Sequence, residues 1–449
     1  MTEITIGQLS TDPALLKEPD RWYDALESLP AAMHYDFIME TLEQPLSAEF
    51  IDGLTLAEDI LDLQHQLQPG QYVALIEKLR MHPCIHNQEF QYFEDEVADY
   101  YLFLEEEDKV AKAVGYYMER PIQGIDQLKP MLDKLIYYGK TELAIRCCRK
   151  VHSPLQESTD LMSGSADELD YMLFVQLWQQ AYLQRQAGLE VDWLRFKQEL
   201  ADFNYVIDSK LFEQIQTIIS RPISDDILET AGVQVGSQDD RYTWLKTANW
   251  MFAKEMLERK NFDFACGESI WSDFFVFLEG KDRSKMGYLS WEEYFDFTLD
   301  ELDGYIARKI GGFLAANQAS GFAMIWGAPY IYDFLLSKNM IGQEVHSKVM
   351  VNIARLKMRM LEAFKQDLWK YSFVNRWVPA DGLSVERLEA NVDRPESFRS
   401  SFHAQREIRE RSPQLPKGRV DNKIKVSGAK KKVKKAARKD AKKQKKKNR

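Results

Sequence analysis

The residues best placed to do chemistry are the lysines and arginines near the C-terminus, which form an almost continuous basic stretch. Ammonium and guanidinium groups at this density bind phosphates by releasing counterions, without reading a base sequence. No aromatic residue follows Phe402, so we expect no stacking on bases. The sequence therefore predicts contact with an anionic partner (RNA, the ribosome or DNA) through Lys430, Lys431, Lys432, Lys434, Lys435, Arg438, Lys439, Lys442, Lys443, Lys445, Lys446 and Lys447.

This basic stretch contrasts with the rest of the chain. Residues 411–449 carry 18 Lys/Arg and 2 Asp/Glu, whereas residues 1–410 carry the remaining 41 of 59 basic and 68 of 70 acidic residues. The tail is thus at +16 and the body at −27. A segment this charged and poor in apolar residues is expected to be disordered alone and to act as an interaction tail. The alternatives are a solubilising role or a tail that folds back on the acidic body.

A second candidate site is the loop from Asp282 to Glu293, whose oxygen-bearing side chains have the spacing of a calcium site. The loop resembles an EF-hand: Asp282, Ser284, Ser290 and Glu293 fall at ligand positions one, three, nine and twelve. Position five is Met286, which offers no oxygen. The alternative is that Ser290 and Glu293 form a capping box for the following helix. We favour the capping box and predict no bound metal or other cofactor.

Three further groups of residues carry side chains that could bind a metal or act as a nucleophile. His82, Cys84 and His86 offer metal ligands within five residues, but zinc needs a fourth ligand or a water, and no second pair lies nearby. Glu94, Glu96 and the run Glu105–Asp108 could hold a divalent ion, although acidic runs are more often solvated surface or helix N-termini. Cys147 lies on an apolar helix face, where cysteine packs as a small hydrophobe.

The uncharged stretch Ile310–Tyr332 is the last candidate. Its 23 residues are long enough for a membrane span, but four glycines, Asn317, Gln318 and Pro329 favour a buried helix pair. Its glycine- and aromatic-rich wall around Trp326 is where a small ligand would bind, if the protein binds one. Because no nucleophile, base and oxyanion donor come together in the sequence, we predict a protein that is not an enzyme.

These residues must be positioned by helices, since no segment shows sustained two-residue alternation. The clearest unit is Asp126–Val151, where apolar residues recur at helical spacing on both sides of Gly139. The glycine should end one helix, and Thr141 should cap the next. A long helix is also expected over Val345–Tyr371. We predict an all-α fold of irregular, solenoid-like stacked hairpins with a disordered basic tail.

The domain organisation follows from composition. Seven of the ten tryptophans lie between Trp244 and Trp377, and the polar stretch Asp225–Asp240 separates that region from the first half. We predict a helical-hairpin domain over 1–234, an aromatic-rich helical domain over 235–380, and a linker with the Lys-rich tail over 381–449. Four cysteines without a disulfide framework, and an N-terminus without a secretory signal pattern, indicate a cytoplasmic protein.

Two resemblances bear on function. Residues 47–220 resemble, in general pattern only, the tetratricopeptide-like and HEAT-like helical repeat proteins, which implies a concave groove that binds a protein segment. Residues 418–439 resemble the short zinc-binding tail of SecA and many bacterial helical proteins, although the metal-binding cysteines are absent. Together they predict a helical scaffold with a protein partner and an anion-binding tail. The alternatives are an enzyme or small-ligand-binding protein with its site in the aromatic-rich half, or a calcium-responsive protein.

Overall fold

The computed structural model describes residues 12, 14–52, 56–64, 66–162, 164–203, 205, 207, 209–220, 238–260, 262–280, 290–311, 318–377 and 388. The chain divides into two units, residues 1–409 and residues 410–449, and every described residue belongs to the first. In the described part the secondary structure is entirely helical, which confirms the predicted all-α class.

The described residues form nineteen α-helices. The first ten are α1 (Pro19–Ser28), α2 (His34–Thr41), α3 (Ala48–Asp52), α4 (Leu56–Leu63), α5 (Pro69–Leu79), α6 (Pro83–His86), α7 (Phe90–Leu104), α8 (Glu107–Glu119), α9 (Ile125–Tyr137) and α10 (Thr141–Gln156). The others are α11 (Asp167–Gln186), α12 (Trp193–Asp202), α13 (Ser209–Ser220), α14 (Gln238–Lys260), α15 (Phe264–Glu279), α16 (Trp291–Phe295), α17 (Leu299–Ile310), α18 (Gln318–Ser337) and α19 (Gln343–Ala363). Short 3-10 helices cover Leu15–Lys17 and Ala31–Met33, and a longer 3-10 segment covers Leu368–Arg376.

The hairpin of α9 and α10 forms at the predicted turn. Gly139 has a φ of +70°, and the N–H groups of Gly139 and Lys140 donate to the carbonyls of Ile136 and Leu135 at 2.9 and 2.7 Å. A residue in this left-handed conformation ends the first helix at little cost only if it is glycine. Thr141 does not cap α10, because its hydroxyl bonds Asp263, at the start of α15. The threonine therefore ties the hairpin to the second half of the chain.

Helix α18 lies at the centre of the second half. Sixteen of its 20 residues are buried, as expected for a helix that is apolar on all sides. It packs against α15, α17 and α19 and also against α9 of the first half. In a solenoid each repeat contacts only its neighbours, whereas α9 and α18 are far apart in sequence. Solenoid-like stacking stays a prediction.

The C-terminal 3-10 segment connects the end of the described chain to its first half. It packs against α7 and α18, and the indole N–H of Trp377, just after it, donates to the carbonyl of Tyr137 at 3.2 Å. The predicted helix Val345–Tyr371 is therefore wrong at its end: α19 stops at Ala363 and the 3-10 segment begins at Leu368. Side chains on several sides of the segment are buried between α7 and α18, so its sequence shows no single apolar face with helical spacing.

The predicted domain boundary at Asp225–Asp240 lies mostly outside the described residues. Its last three residues, 238–240, belong to α14. The division at 234 and 235 stays a prediction.

Candidate functional site

The sequence-predicted anion contacts, from Lys430 to Lys447, lie outside the described residues, and so do Asp282 and Ser284 of the calcium-like loop. The structure therefore describes only the last two of the four predicted calcium ligands, Ser290 and Glu293.

Ser290 and Glu293 form the N-terminal cap of α16. The hydroxyl of Ser290 accepts from the N–H of Glu293 at 3.2 Å, and a carboxylate oxygen of Glu293 accepts from the N–H of Ser290 at 2.8 Å. Hydrogen bonds from the backbone N–H and then the hydroxyl of Ser290 lower the pKa of Glu293. This is the reciprocal arrangement of a capping box, and both oxygens named as calcium ligands are engaged in it.

His82, Cys84 and His86 do not converge. The Nε2 atom of His82 lies 2.9 Å from the carbonyl of Leu42, Cys84 is exposed, and the Nε2 atom of His86 lies 2.7 Å from Glu94. Each side chain points to a different partner or to solvent, so these three residues do not form a metal site.

Glu94 is instead the anchor of a buried polar contact. It is fully buried, and it accepts from Arg80 at 2.9 and 2.6 Å as well as contacting His86. Two parallel N–H bonds from one guanidinium fix both carboxylate oxygens. The contact holds α5, α6 and α7 together, which gives Glu94 a structural role.

The wall around Trp326 is a helix-packing surface. Only 7% of Trp326 is exposed: its ring stacks on Phe322, and the ammonium of Lys357 lies 5.2 Å from its centroid. Gly327 lies so close to α15 that a Cβ atom would meet Ile270 at 2.3 Å. Gly321 and Gly327 thus allow close approach of helices. Across the described part of the chain, no helix combines the length and apolar character that crossing a bilayer requires.

Three cysteines lie in the described core, where burial disfavours the reactive thiolate form. Cys147, Cys148 and Cys266 are buried. Burial raises the pKa of the Cys147 thiol to about 12, and it also raises the pKa values of Cys148 and Cys266. Because the thiolate is the nucleophile, these three residues are packed as small hydrophobes.

A buried charge cluster, which the sequence did not reveal, is made by Asp95, Glu96, Asp99, Lys134 and Lys370. One carboxylate oxygen from each of its three acids lies within 4.8 Å of the corresponding oxygens of the other two. The ammonium of Lys134 lies 2.9 Å from Asp95 and from Asp99, and the ammonium of Lys370 lies 2.6 Å from Glu96. The side chains are only 3–18% exposed. The protein's own lysines thus supply two cations beside these three acids.

The charge cluster has two electrostatic consequences. Burial raises the pKa of Asp99 to about 7, although Lys134 acts in the opposite direction. Burial would lower the pKa of Lys134, but the carboxylates of Asp95 and Asp99 outweigh it and raise that pKa. The apolar face that periodicity predicts for α9 consists of Leu128, Leu132, Leu135 and Ile136 and does not include Lys134, so no sequence signal pointed to these pairings.

Two of the surface clefts in the described part of the chain are further candidates. One, of about 210 Å³, lies between α11 and α12 and is lined by Leu177, Ala181, Val191 and Phe196 among polar residues. The other, of about 280 Å³, lies between the C-terminal ends of α14 and α18. Its lining combines apolar side chains with charged ones, namely Glu255, Met256, Arg259, Lys260, Tyr330, Asp333, Phe334, Leu336 and Ser337.

Comparison of the chain with protein-family models, with curated proteins and with solved structures gave no match.

Proposed function

We propose that this protein is a non-enzymatic helical scaffold that binds a protein segment in a groove between helices and contacts an anionic partner through its polybasic tail. The anionic partner is RNA, the ribosome or DNA. The observation that carries the proposal is the charge split: +16 over residues 411–449 against −27 over residues 1–410.

The charge split favours nucleic acid for a physical reason. A body at −27 repels a polyphosphate, so phosphate binding must come from a part of the chain with the opposite sign. Twelve basic residues between Lys430 and Lys447 can displace many counterions. The affinity should therefore be strongly salt-dependent and should not discriminate between base sequences.

The non-enzymatic part of the proposal is supported by the environments of the nucleophile and acid–base candidates. The thiols of Cys147 and Cys148 are buried and protonated. His86 and Glu94 are both buried and bonded to each other. These groups hold helices together and do not face a cleft where a substrate could enter.

The groove between α11 and α12 is the described surface that best suits a protein segment. Leu177, Ala181 and Phe196 lie among polar lining residues that include Glu190, Arg195 and Glu199, and Arg195 pairs with Glu199. Leu183, Leu189 and Leu194, which belong to the same region of the chain, are 47%, 59% and 83% exposed. An amphipathic helix binds a groove of this kind through its apolar face.

The test replaces twelve of the 18 basic residues of the tail, those from Lys430 to Lys447, by glutamine in the full-length protein. Binding to a single-stranded RNA is measured by fluorescence anisotropy between 50 and 200 mM salt. We expect the substituted protein to lose RNA binding and its salt dependence. In the unmodified protein the logarithm of the binding constant should fall with the logarithm of the salt concentration, with a slope of about 0.7 for each phosphate of the single strand that is contacted. A matched variant with arginine at the lysine positions keeps the charge and should bind. If the glutamine protein binds RNA as tightly as the unmodified protein, the proposal is wrong.

The second candidate function, a small-ligand-binding protein with its site in the aromatic-rich half, is favoured by one observation: the 280 Å³ cleft between α14 and α18. Arg259, which pairs with Glu255, and Asp333, which pairs with His346, give the cleft charges of both signs, which a small zwitterion such as a free amino acid would contact. Calorimetric titration with a mixture of free amino acids tests this alternative, and absence of heat would eliminate it for that class.

A further inference from the structure

Three buried carboxylates share two ammonium groups where the C-terminal 3-10 segment meets α7 and α9. Asp95, Glu96 and Asp99 come from α7, Lys134 from α9 and Lys370 from the segment. With every group ionised, this cluster would carry one uncompensated negative charge in the interior. A single proton on one carboxyl removes the excess, because two carboxylates then face two ammonium groups.

The proton belongs on Asp99. Its side chain is 3% exposed, against 18% for Asp95 and 14% for Glu96. Glu96 has its own ammonium from Lys370, whereas Asp99 shares that of Lys134 with Asp95. Desolvation penalises the charged form most at the most buried and least compensated group. The raised pKa of Asp99, about 7, agrees with this geometry.

The groups that face the cluster come from every element packed around it. Besides the five members, they are Tyr72 of α5, Tyr117 of α8, Tyr138 after α9, and Asp367 and Tyr371 of the C-terminal region. Burial raises the pKa values of all four tyrosines, so none of them ionises near neutrality. Asp367 raises the pKa values of Lys370 and Tyr371.

We propose that the charge cluster is a proton-linked clamp, in which docking of the C-terminal segment 368–376 takes up one proton and weakens as the pH rises from 5.5 towards 7.5. The segment supplies Lys370 and places the buried Tyr371 within electrostatic range of all three carboxylates. When the segment opens, Asp99 gains water and loses its proton. The proposal concerns the body alone and does not depend on the function of the tail.

The sign follows from proton linkage. The docked state holds the Asp99 proton up to a pH of about 7, whereas a solvated aspartate loses it near pH 3.9. Between these values the docked state binds more protons than the open one, so rising pH favours opening. Asp99 has the higher pKa in the docked state and the lower one in the open state. This difference raises the equilibrium constant for opening about twentyfold from pH 5.5 to pH 7.5.

The test is hydrogen exchange of the full-length protein, followed by mass spectrometry of peptides that cover residues 365–377. After correction for intrinsic exchange rates at each pH, the opening equilibrium constant of the unmodified protein should rise about twentyfold from pH 5.5 to pH 7.5. Asp99→Asn, which is neutral at both values, should change less than twofold. The matched control is Glu105→Gln, which removes the exposed partner of Arg376 on the same segment and should retain the pH effect.

Two results would overturn the proposal. One is an opening equilibrium constant of the unmodified protein that is the same at both pH values. This measurement needs no variant. The other is an Asp99→Asn protein that keeps the full pH effect, because the proton would then reside elsewhere.

Discussion

Lys370 and Glu96 are 274 residues apart in sequence, and the ammonium of Lys370 lies 2.6 Å from a carboxylate oxygen of Glu96. The contact joins the C-terminal 3-10 segment to α7, so the end of the described chain is fixed to its first half. Aromatic packing accompanies the ion pair, since Trp369 contacts both Tyr100 and Phe103 of α7. The segment is therefore an integral part of the core.

Substitution of Lys370 tests how much this pair contributes to stability. Lys370→Met leaves the carboxylate of Glu96 buried without its cation, and the free energy of unfolding should fall by roughly 3–5 kcal/mol. Urea unfolding followed by circular dichroism measures the change. Glu105→Gln is the matched control: Glu105 is 70% exposed, and the loss of an exposed pair should change stability little. Equal effects of the two substitutions would contradict a buried, structural role for Lys370.

Two glycines in helices provide a matched test of the close helix packing. At Gly327 a Cβ atom would meet the side chain of Ile270 at 2.3 Å, whereas at Gly115 nothing lies within 4 Å. Gly327→Ala should destabilise the protein by about 1–3 kcal/mol through overpacking. Gly115→Ala should stabilise it by roughly 0.5–1 kcal/mol, because alanine is the better helix former. Thermal unfolding distinguishes the two, and a stabilising Gly327→Ala would show that α15 and α18 are not in such close contact.

Thiol reactivity tests the environment of the four cysteines. Cys84 is exposed, and the other three are buried, with burial raising the pKa of Cys147 to about 12. At pH 8 an aromatic disulfide reagent should therefore label one thiol per chain rapidly in the native protein and all four in guanidinium chloride. Cys84→Ser should remove the rapid reaction. Rapid labelling that survives this substitution would mean that a second cysteine is accessible.

The loop at Ser290 gives a prediction that separates a cap from a calcium ligand. Ser290→Ala removes the side-chain acceptor of the capping box and should destabilise the protein by about 1 kcal/mol, with or without calcium. Titration of the unmodified protein with calcium, followed by tryptophan fluorescence, should give no change. A saturable response that Ser290→Ala abolishes would instead support the calcium interpretation of Asp282–Glu293.

The sequence was most informative where the deciding interaction is local. The turn at Gly139 was predictable because its left-handed backbone depends on one residue and the carbonyls just before it. The capping box of Ser290 and Glu293 was predictable because its partners are three residues apart. Thr141 was predicted as a cap from the same kind of local pattern, and the prediction was wrong because Asp263, 122 residues away, binds its hydroxyl.

The amino-acid sequence by itself determined the all-α class, the position of the α9–α10 hairpin and the separation of an acidic body from a basic tail. These depend on periodicity, turn residues and composition, which act over a few residues or add up over many. Only the tertiary structure decided that Glu94 is held by Arg80 and that Lys134 and Lys370 lie against Asp95, Glu96 and Asp99 of α7. Those pairings form between residues far apart in the chain, or depend on which side chains lose their water on folding, and neither property is written in any short stretch of sequence.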